Sequence, residues 1–169
     1  MKHFEAMRWG VVAVLCAVLA GCGFTLQGTG DLPDEMRATY LEAADASSEF
    51  AVALRRTMDA RGQPLVANRA QASAVLRLLE DEAGERILSV SATGVPEELE
   101  LYHTVRFQLR AGNRVLIRDE QITVTRDYRF DPNDILGKRR EAQLLKDALV
   151  TDLVNRFFRR LDLLAREDA

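Results

Sequence analysis

Histidine and cysteine, the side chains that most often bind zinc or act as base and nucleophile, are scarce in this chain: there are two of each in 169 residues. The sequence has no Cys/His cluster, no His-Glu-x-x-His, no Gly-x-Ser-x-Gly and no glycine-rich phosphate loop. His103 lies on the apolar side of an alternating stretch, which favours a hydrogen-bonded core histidine over a catalytic base. We therefore expect no metal site, no catalytic residue and no enzymatic activity.

An excess of charge of one sign is also missing. The net charge is −3, with acids and bases interspersed, whereas a nucleic-acid-binding domain would normally show a basic bias. The acidic cluster Glu97, Glu98 and Glu100 is interpreted as a solvated edge, since acid–base chemistry needs carboxylates in a cleft. A charged fraction of 29% and a hydrophobic fraction of 47% are ordinary for a globular protein, and the length suits one domain.

No apolar run is long enough to cross a bilayer, which takes roughly twenty residues. The uncharged run from Trp9 to Ala20 is shorter, with Lys2 and Arg8 before it and small residues at its end. This order of basic, apolar and small residues predicts a secretory signal over residues 1–21.

Leu19-Ala20-Gly21-Cys22 resembles the lipobox of bacterial lipoproteins. The resemblance implies S-diacylglycerol and an N-acyl chain on Cys22 as the only attached groups, no other cofactor, and a mature chain of residues 22–169. Gly23, in place of an aspartate, implies the outer membrane. The alternative is an uncleaved helix that ends in a cysteine. Because Cys16 would leave with the signal, the mature domain would have no disulfide and would rely on its core.

The mature chain shows the apolar periodicities of one α+β domain. Ser47 and Ser48 are candidate caps for a helix that ends before Gly62 and Pro64. Ala72 to Glu82 suits a helix or a strand, and we favour a strand. A phase change near Asp119 predicts a bulge in the last strand. The predicted elements are strands at Gly23–Leu32, Ala38–Ala43, Ala72–Glu82, Ile87–Ala92, Leu99–Arg110 and 115–130, and helices at Glu49–Arg61 and Arg139–Arg166.

These elements predict a two-layer sandwich, with two helices on one face of a mixed, largely antiparallel sheet of about four strands. In the strand Leu99–Arg110 the odd positions are apolar apart from His103, and the even positions are mostly polar. This alternation indicates one packed face and one wet face.

Cations are concentrated between Arg126 and Arg140, in the sequence RDYRFDPNDILGKRR. Arg126, Arg129, Lys138 and Arg139 are candidate ligands for phosphate, which guanidinium and ammonium groups bind well. The alternative is a solvated helix start. Cations at a helix N-terminus oppose the helix dipole, and this penalty favours a binding role.

Three stretches together resemble the LptE family of lipopolysaccharide-assembly lipoproteins of Gram-negative bacteria. They are Cys22–Gly28 (CGFTLQG), the Ala-x-x-x-Leu-Arg-Leu pattern that begins at Ala72, and the RDYRFDPN segment from Arg126 to Asn133. The order of elements and the closing helix also match, so that the resemblance covers essentially the whole mature chain.

The resemblance implies a plug inside the LptD β-barrel of the outer membrane that assists barrel assembly and contacts lipopolysaccharide (LPS). Lys138 matches a basic position implicated in ligand contact in the family, whereas a second basic position is replaced here by Ser91-Ala92-Thr93. The alternative function is a freestanding, periplasm-facing lipoprotein that binds an amphiphile without a barrel partner. Neither function involves nucleic acid.

Overall fold

The computed structural model describes residues 32–167. The predicted signal, Cys22 and all but the last residue of the predicted strand Gly23–Leu32 lie outside the described residues. The described elements are the strands β1 (Thr39–Glu42), β2 (Ala74–Val90), β3 (Pro96–Ala111) and β4 (Arg114–Arg129), and the helices α1 (Glu49–Ala60) and α2 (Ile135–Glu167). Short 3-10 turns occupy Asp34–Ala38 and Arg69–Gln71.

The four strands form one mixed sheet in the order β1-β2-β3-β4. β1 and β2 are parallel, and α1 lies in the connection between them. The other two pairings are antiparallel. Both helices pack on the sheet, which confirms the predicted α+β sandwich.

The start of α1 follows the predicted cap. The Ser48 hydroxyl oxygen accepts the N–H of Ala51 at 3.1 Å, which satisfies one of the free donors of the first turn. Gly62, just after the helix, has a φ of +72°, a conformation that glycine adopts without steric cost. The predicted stripe Phe50, Leu54 and Met58 is buried in the core.

The separate strands predicted at Ala72–Glu82 and Ile87–Ala92 are wrong, because β2 is one strand of 17 residues. The polar segment between them, which includes Gly84, stays paired with β3 throughout. Register shifts after Leu78 and after Ile87 absorb the change of phase. The partner strand β3 has a regular alternation and holds the irregular strand in place.

The alternating burial of β3 and the irregularity in β4 agree with the sequence predictions. The odd positions of β3 from Leu99 to Leu109 are all buried, and most of the even positions are partly exposed. Phe107 pairs with Glu120 while Leu109 pairs with Ile117, so β4 has an irregularity at the predicted point.

Aromatic rings join the sheet to both helices. The Phe157 ring of α2 makes edge-to-face contacts with Phe107 of β3 at 4.9 Å, Phe50 of α1 at 5.9 Å and its neighbour Phe158 at 5.6 Å between centroids. These geometries are favourable for aromatic pairs. Both helices therefore lie on the same face of the sheet, and the opposite face, which we call the open face, carries no helix in the described part of the chain.

α2 begins four residues earlier than the predicted Arg139, at Ile135. The Asp134 Oδ1 atom accepts the Gly137 N–H at 3.0 Å, as an N-cap aspartate does. The predicted boundary is wrong because Asp134, and not the basic run, caps the helix.

Candidate functional site

The first turns of α2 carry two of the four predicted phosphate ligands. Lys138 is half-buried, and its Nζ lies 2.7 Å from Glu141 Oε2. Arg139 is exposed, and within residues 32–167 no carboxylate comes within ion-pair distance of its guanidinium. Asp134 supplies the negative charge that the helix N-terminus favours. Of the two cations, Arg139 is the one available to an external anion.

Arg126 and Arg129 project from opposite faces of the sheet. Positions three apart on a strand point in opposite directions, and the buried Val124 and Tyr128 place Arg126 on the helix-covered side. The Arg126 guanidinium lies 3.3 Å from Asp152 Oδ2 of α2. Arg129 is largely exposed and lies 3.9 Å from Glu98 Oε1 on the neighbouring strand.

The structure does not bring the four cations into one cluster. Asp152, which holds Arg126, is fourteen residues beyond Lys138 on α2, a distance of about 21 Å along a helix. Arg126 thus ties β4 to the middle of α2. Lys138, Arg139 and Arg129 remain near one end of the sheet, where β4 ends and α2 begins.

The Asp152 Oδ2 atom also lies 3.2 Å from the guanidinium of Arg156, one turn further along the same helix. Burial disfavours the charged form of Asp152, but the hydrogen bonds and charges of Arg156 and Arg126 outweigh it and hold the pKa of the carboxyl below its usual value. The carboxylate is therefore a structural partner for both arginines.

The tyrosine of the RDYRFDPN segment is a core residue. Tyr128 is buried, and its hydroxyl donates to Glu85 Oε2 of β2 at 2.9 Å. Burial, followed by the hydrogen bond and charge of Glu85 and the charge of Glu141, raises the pKa of Tyr128 to about 12. Phe130 packs against the core, and Asp131 Oδ1 accepts the N–H of Asn133 at 2.9 Å. This segment shapes the connection from β4 to α2.

His103 is a hydrogen-bonded core histidine, as predicted. Its Nε2 lies 2.7 Å from Asp81 Oδ1, and the other carboxylate oxygen accepts the Ser48 hydroxyl. A hydrolytic triad places the histidine between serine and carboxylate, whereas here the carboxylate stands between the other two. The Ser48 hydroxyl also caps α1. The arrangement links β2, β3 and α1.

A cavity of about 230 Å³ opens beside His103, between the start of α1, the middle of α2 and the strands β2 and β3. Its wall mixes charges of both signs, from Glu49, Glu85 and Lys146. Within the described residues no group of histidine, cysteine, aspartate or glutamate side chains is arranged to hold a metal ion.

Much of the open face carries polar side chains that pair across strands, although Val115 at the hairpin end is an exposed apolar residue. Arg106 lies between Glu80 at 3.4 Å and Asp119 at 3.6 Å, and Thr104 bonds Thr123 at 2.9 Å. The other pairs are Arg86–Glu100, Tyr102–Glu82 and Arg129–Glu98. The face is therefore polar and wet, yet most of its charge is already neutralised.

The sequence pattern does not predict the roles of two structural carboxylates, Asp81 and Asp134. Asp81 lies in an acidic run that looks solvated, and Asp134 in a turn. The partners of Asp81 are Ser48, 33 residues before it, and His103, 22 residues after it. Contacts between residues so far apart in the chain leave no local sequence pattern. The spacing of Asp134, three residues before Gly137, is a cap pattern that could have been found.

Comparison with known proteins gives the decisive observation: the family model described as LptE, lipopolysaccharide-assembly, matches residues 36–161. The chain belongs to the LptE family. The LPS-assembly lipoprotein LptE of Yersinia pestis (strain Pestoides F) is 26% identical over 145 residues, which are 85% of this chain and 70% of that protein. The LptE protein of Yersinia pseudotuberculosis serotype O:1b (strain IP 31758) matches with the same values.

Two solved structures of lipoproteins share the LptE-type fold. Lipoprotein B of Nitrosomonas europaea, solved by NMR, has a TM-score of 0.68 at 27% identity and covers 83% of this chain and 90% of its own. The crystal structure of the rare lipoprotein B of Shewanella oneidensis has a TM-score of 0.62 at 26% identity. The match covers 73% of this chain and 92% of that protein. Between Leu32 and Glu167, neither helix is long and apolar enough to cross a membrane.

Proposed function

We propose that this protein is an outer-membrane lipoprotein that partners an LptD-type β-barrel, as plug and assembly factor in the transport of LPS to the cell surface. The observation that carries the proposal is the family match over residues 36–161, joined to a fold shared with solved lipoproteins. The relatives from Yersinia are named for LPS assembly.

The open face of the sheet supports the role of a plug. The lumen of a large barrel is polar and wet, and a domain inside it needs an outward surface that tolerates water. The cross-strand pairs Arg106–Glu80 and Arg86–Glu100 give such a surface. His103 and Ser48 are engaged by Asp81 in a structural role, so we propose a non-enzymatic protein.

Attachment to the outer membrane through Cys22 is part of the proposal. The lipobox pattern and the lipoprotein names of the relatives support it. One acyl chain gives only marginal membrane binding, whereas several chains anchor a protein stably. The acyl groups on Cys22 are the only attached groups that we propose.

Direct contact with LPS is the finer part of the proposal. Its phosphates would meet Arg139, which is exposed, and Lys138, which is half-buried and pairs with the exposed Glu141 of the same helix. An ion pair between neighbouring turns of one helix contributes little to stability, so that a phosphate could replace Glu141. Arg126 has weaker support, since Asp152 already holds it, and Arg129 projects from the open face.

The alternative, a freestanding lipoprotein that shields an amphiphile, has less support. Ligand pockets of carriers are mostly apolar and enclose about 300–1,000 Å³. The cavity beside His103 encloses about 230 Å³ and is lined by Glu49, Glu85 and Lys146. That cavity is therefore small for an acyl chain and carries three charged side chains.

Depletion of the protein in its own cell tests the proposed function. We expect the LptD barrel to accumulate in a misfolded form and the outer membrane to become permeable to large antibiotics. Re-expression of the wild-type chain should restore both. Normal amounts of folded barrel after depletion would contradict the proposal.

A further inference from the structure

The strand β2 has a long edge that β1 leaves free. β1 pairs only with the first four residues of β2, from Ala74 to Arg77, and within residues 32–167 no other strand lies on that side. Between the register shifts after Leu78 and after Ile87, β2 pairs residue by residue with β3. In such a strand every second residue points its N–H and C=O groups away from the partner. We call this regular segment, Glu80–Ile87, the β2 edge.

The helix α1 does not extend over the β2 edge. The Ser48 hydroxyl at the start of α1 bonds Asp81, and the helix leads from there back to the level where β2 begins, since β1 and β2 are parallel. Further along, Ala83, Glu85 and Ile87 are exposed, although their partners on β3 are all buried. Ile87 is 56% exposed. The edge therefore leaves backbone groups and a large apolar side chain uncovered.

The charged side chains of the β2 edge do not guard it. Natural edge strands are often protected by lysine, proline or outward charges, and this segment has neither lysine nor proline. Its five charged side chains all contact the neighbouring strands instead. The pairs are Glu80–Arg106, Asp81–His103, Glu82–Tyr102, Glu85–Tyr128 and Arg86–Glu100. These contacts lie across the sheet, so the backbone of the edge is accessible to another strand.

The opposite edge strand, β4, is less accessible. The Arg126 guanidinium donates to the Thr125 carbonyl at 2.8 Å and also contacts Asp152 of α2. Further along β4, Glu120 lies 2.8 Å from Arg160 of α2. α2 therefore packs along β4, and β2 is the less covered of the two edges.

Charge on the β2 edge indicates which strand fits it. Glu82 and Glu85 bond tyrosine hydroxyls, which carry no charge, so both carboxylates keep their negative charge. Glu82 lies on the open face, and Glu85 lies on the other face, in a cavity that has two carboxylates and one lysine. Cross-strand pairs of opposite charge and of apolar residues are stabilising. An extended segment fits best with a basic residue beside each glutamate and an apolar residue beside Ile87.

We propose that the β2 edge accepts an extended, basic segment of the barrel partner's chain as a fifth strand of the sheet. The inference rests on the proposed function, since inside the lumen the chain that surrounds this edge is the barrel itself. In strand addition, main-chain hydrogen bonds provide the affinity and alternate side chains provide the specificity. The added strand extends the sheet beyond β1 and fixes the orientation of the plug in the lumen.

Residue-resolved amide hydrogen exchange tests the added strand. It is measured on the full lipidated protein in detergent, alone and in its purified complex with the barrel. We expect every second amide between Glu80 and Ile87 to exchange roughly a hundredfold more slowly in the complex, because these N–H groups gain a main-chain acceptor. A contact through the face of the sheet would not select alternate amides.

Charge variants test the basic character of the segment. Glu82→Gln with Glu85→Gln keeps an acceptor for each tyrosine and removes both charges, so the alternate amides should exchange roughly tenfold faster in the variant complex than in the wild-type complex. The matched control, Glu97→Gln with Asp127→Asn, removes two exposed carboxylates outside the β2 edge. The control should exchange as the wild type does, and equal effects of the two double variants would reject a basic partner strand.

The outcomes separate this inference from the proposed function. A complex in which the β2 amides exchange as fast as in the free protein would overturn the added strand and leave the barrel partnership intact. Failure to form any complex would count against the partnership and therefore against both. Protection of the alternate amides in the free protein would also overturn the inference, because this chain or a second copy would then cover the edge. Dependence of that protection on protein concentration would identify the second copy.

Discussion

The Asp81 carboxylate connects three elements: its Oδ1 lies 2.7 Å from His103 Nε2 on β3, and its Oδ2 accepts the Ser48 hydroxyl at the start of α1. Ser48 in turn accepts the Ala51 N–H at 3.1 Å. His103 is buried, so its ring nitrogen has little access to water. One carboxylate therefore satisfies a core histidine and fixes the helix cap.

Asp81→Ala should lower the free energy of unfolding by about 1–3 kcal/mol, because it leaves a buried histidine and a capping serine without their partner. Urea denaturation at neutral pH measures this change. Asp127→Ala is the matched control, since that carboxylate is exposed on β4. Equal stabilities for the two variants would show that the Asp81 contacts contribute nothing.

Tyr128 should make the stability depend on pH in the alkaline range. Its pKa is about 12 in the folded protein against an ordinary 10.0, so the folded state holds the phenolic proton to higher pH. This contribution is fully present below pH 10 and is lost as the pH rises toward 12. Absorbance titration of the three tyrosines should show one phenol that ionises near pH 12, whereas the hydrogen bond to Glu82 also raises the pKa of Tyr102.

Tyr128→Phe should remove that late ionisation and flatten the fall of stability above pH 10. At neutral pH the variant should lose about 1 kcal/mol, since Glu85 loses its donor. Tyr40→Phe, on the short edge strand, serves as the control. A phenol that still ionises near pH 12 in Tyr128→Phe would contradict the assignment of that pKa to Tyr128.

Gly84 and Tyr102 should be energetically coupled. A Cβ at Gly84 would lie 2.5 Å from the Tyr102 hydroxyl oxygen, so the ring covers the glycine across the strand pair. Gly84→Ala should lower the urea midpoint in the wild-type background by displacing the ring from Glu82. In a Tyr102→Ala background the same change should be neutral or stabilising. Equal effects in both backgrounds would refute the coupling.

Reversal of the charges at the start of α2 tests LPS contact. Lys138→Glu with Arg139→Glu should weaken LPS binding by about tenfold or more, because charge-assisted hydrogen bonds to phosphate are replaced by repulsion. Binding of the purified protein to LPS is measured by calorimetry, with circular dichroism as a check of folding. Arg56→Glu, on the exposed side of α1, should bind as the wild type does. Unchanged binding in the double variant would reject these residues as ligands.

The elements with strong periodicity were predictable from the sequence. The alternation in β3 and the stripe Phe50, Leu54 and Met58 each encode one buried face, and the Ser48 cap is a local signal. The family assignment from the sequence motifs was confirmed by the match over residues 36–161. Such features depend on residues close together in the chain.

The features that depend on distant residues were not predictable in the same way. β2 looks interrupted around Gly84 because its own pattern changes phase, and only the pairing with β3 shows that it continues. Arg126 and Lys138 look like members of one basic cluster, but the strand direction and the length of α2 separate them. Asp81 acquires its role only when α1 and β3 meet β2.

Affinity purification of the lipidated protein from its own outer membrane, in mild detergent, tests the barrel partnership most directly. The proposed function predicts a stable one-to-one complex with an LptD-type barrel, identified by mass spectrometry, that survives high salt. Recovery of the protein alone, from membranes in which the barrel is present and extracted, would contradict it.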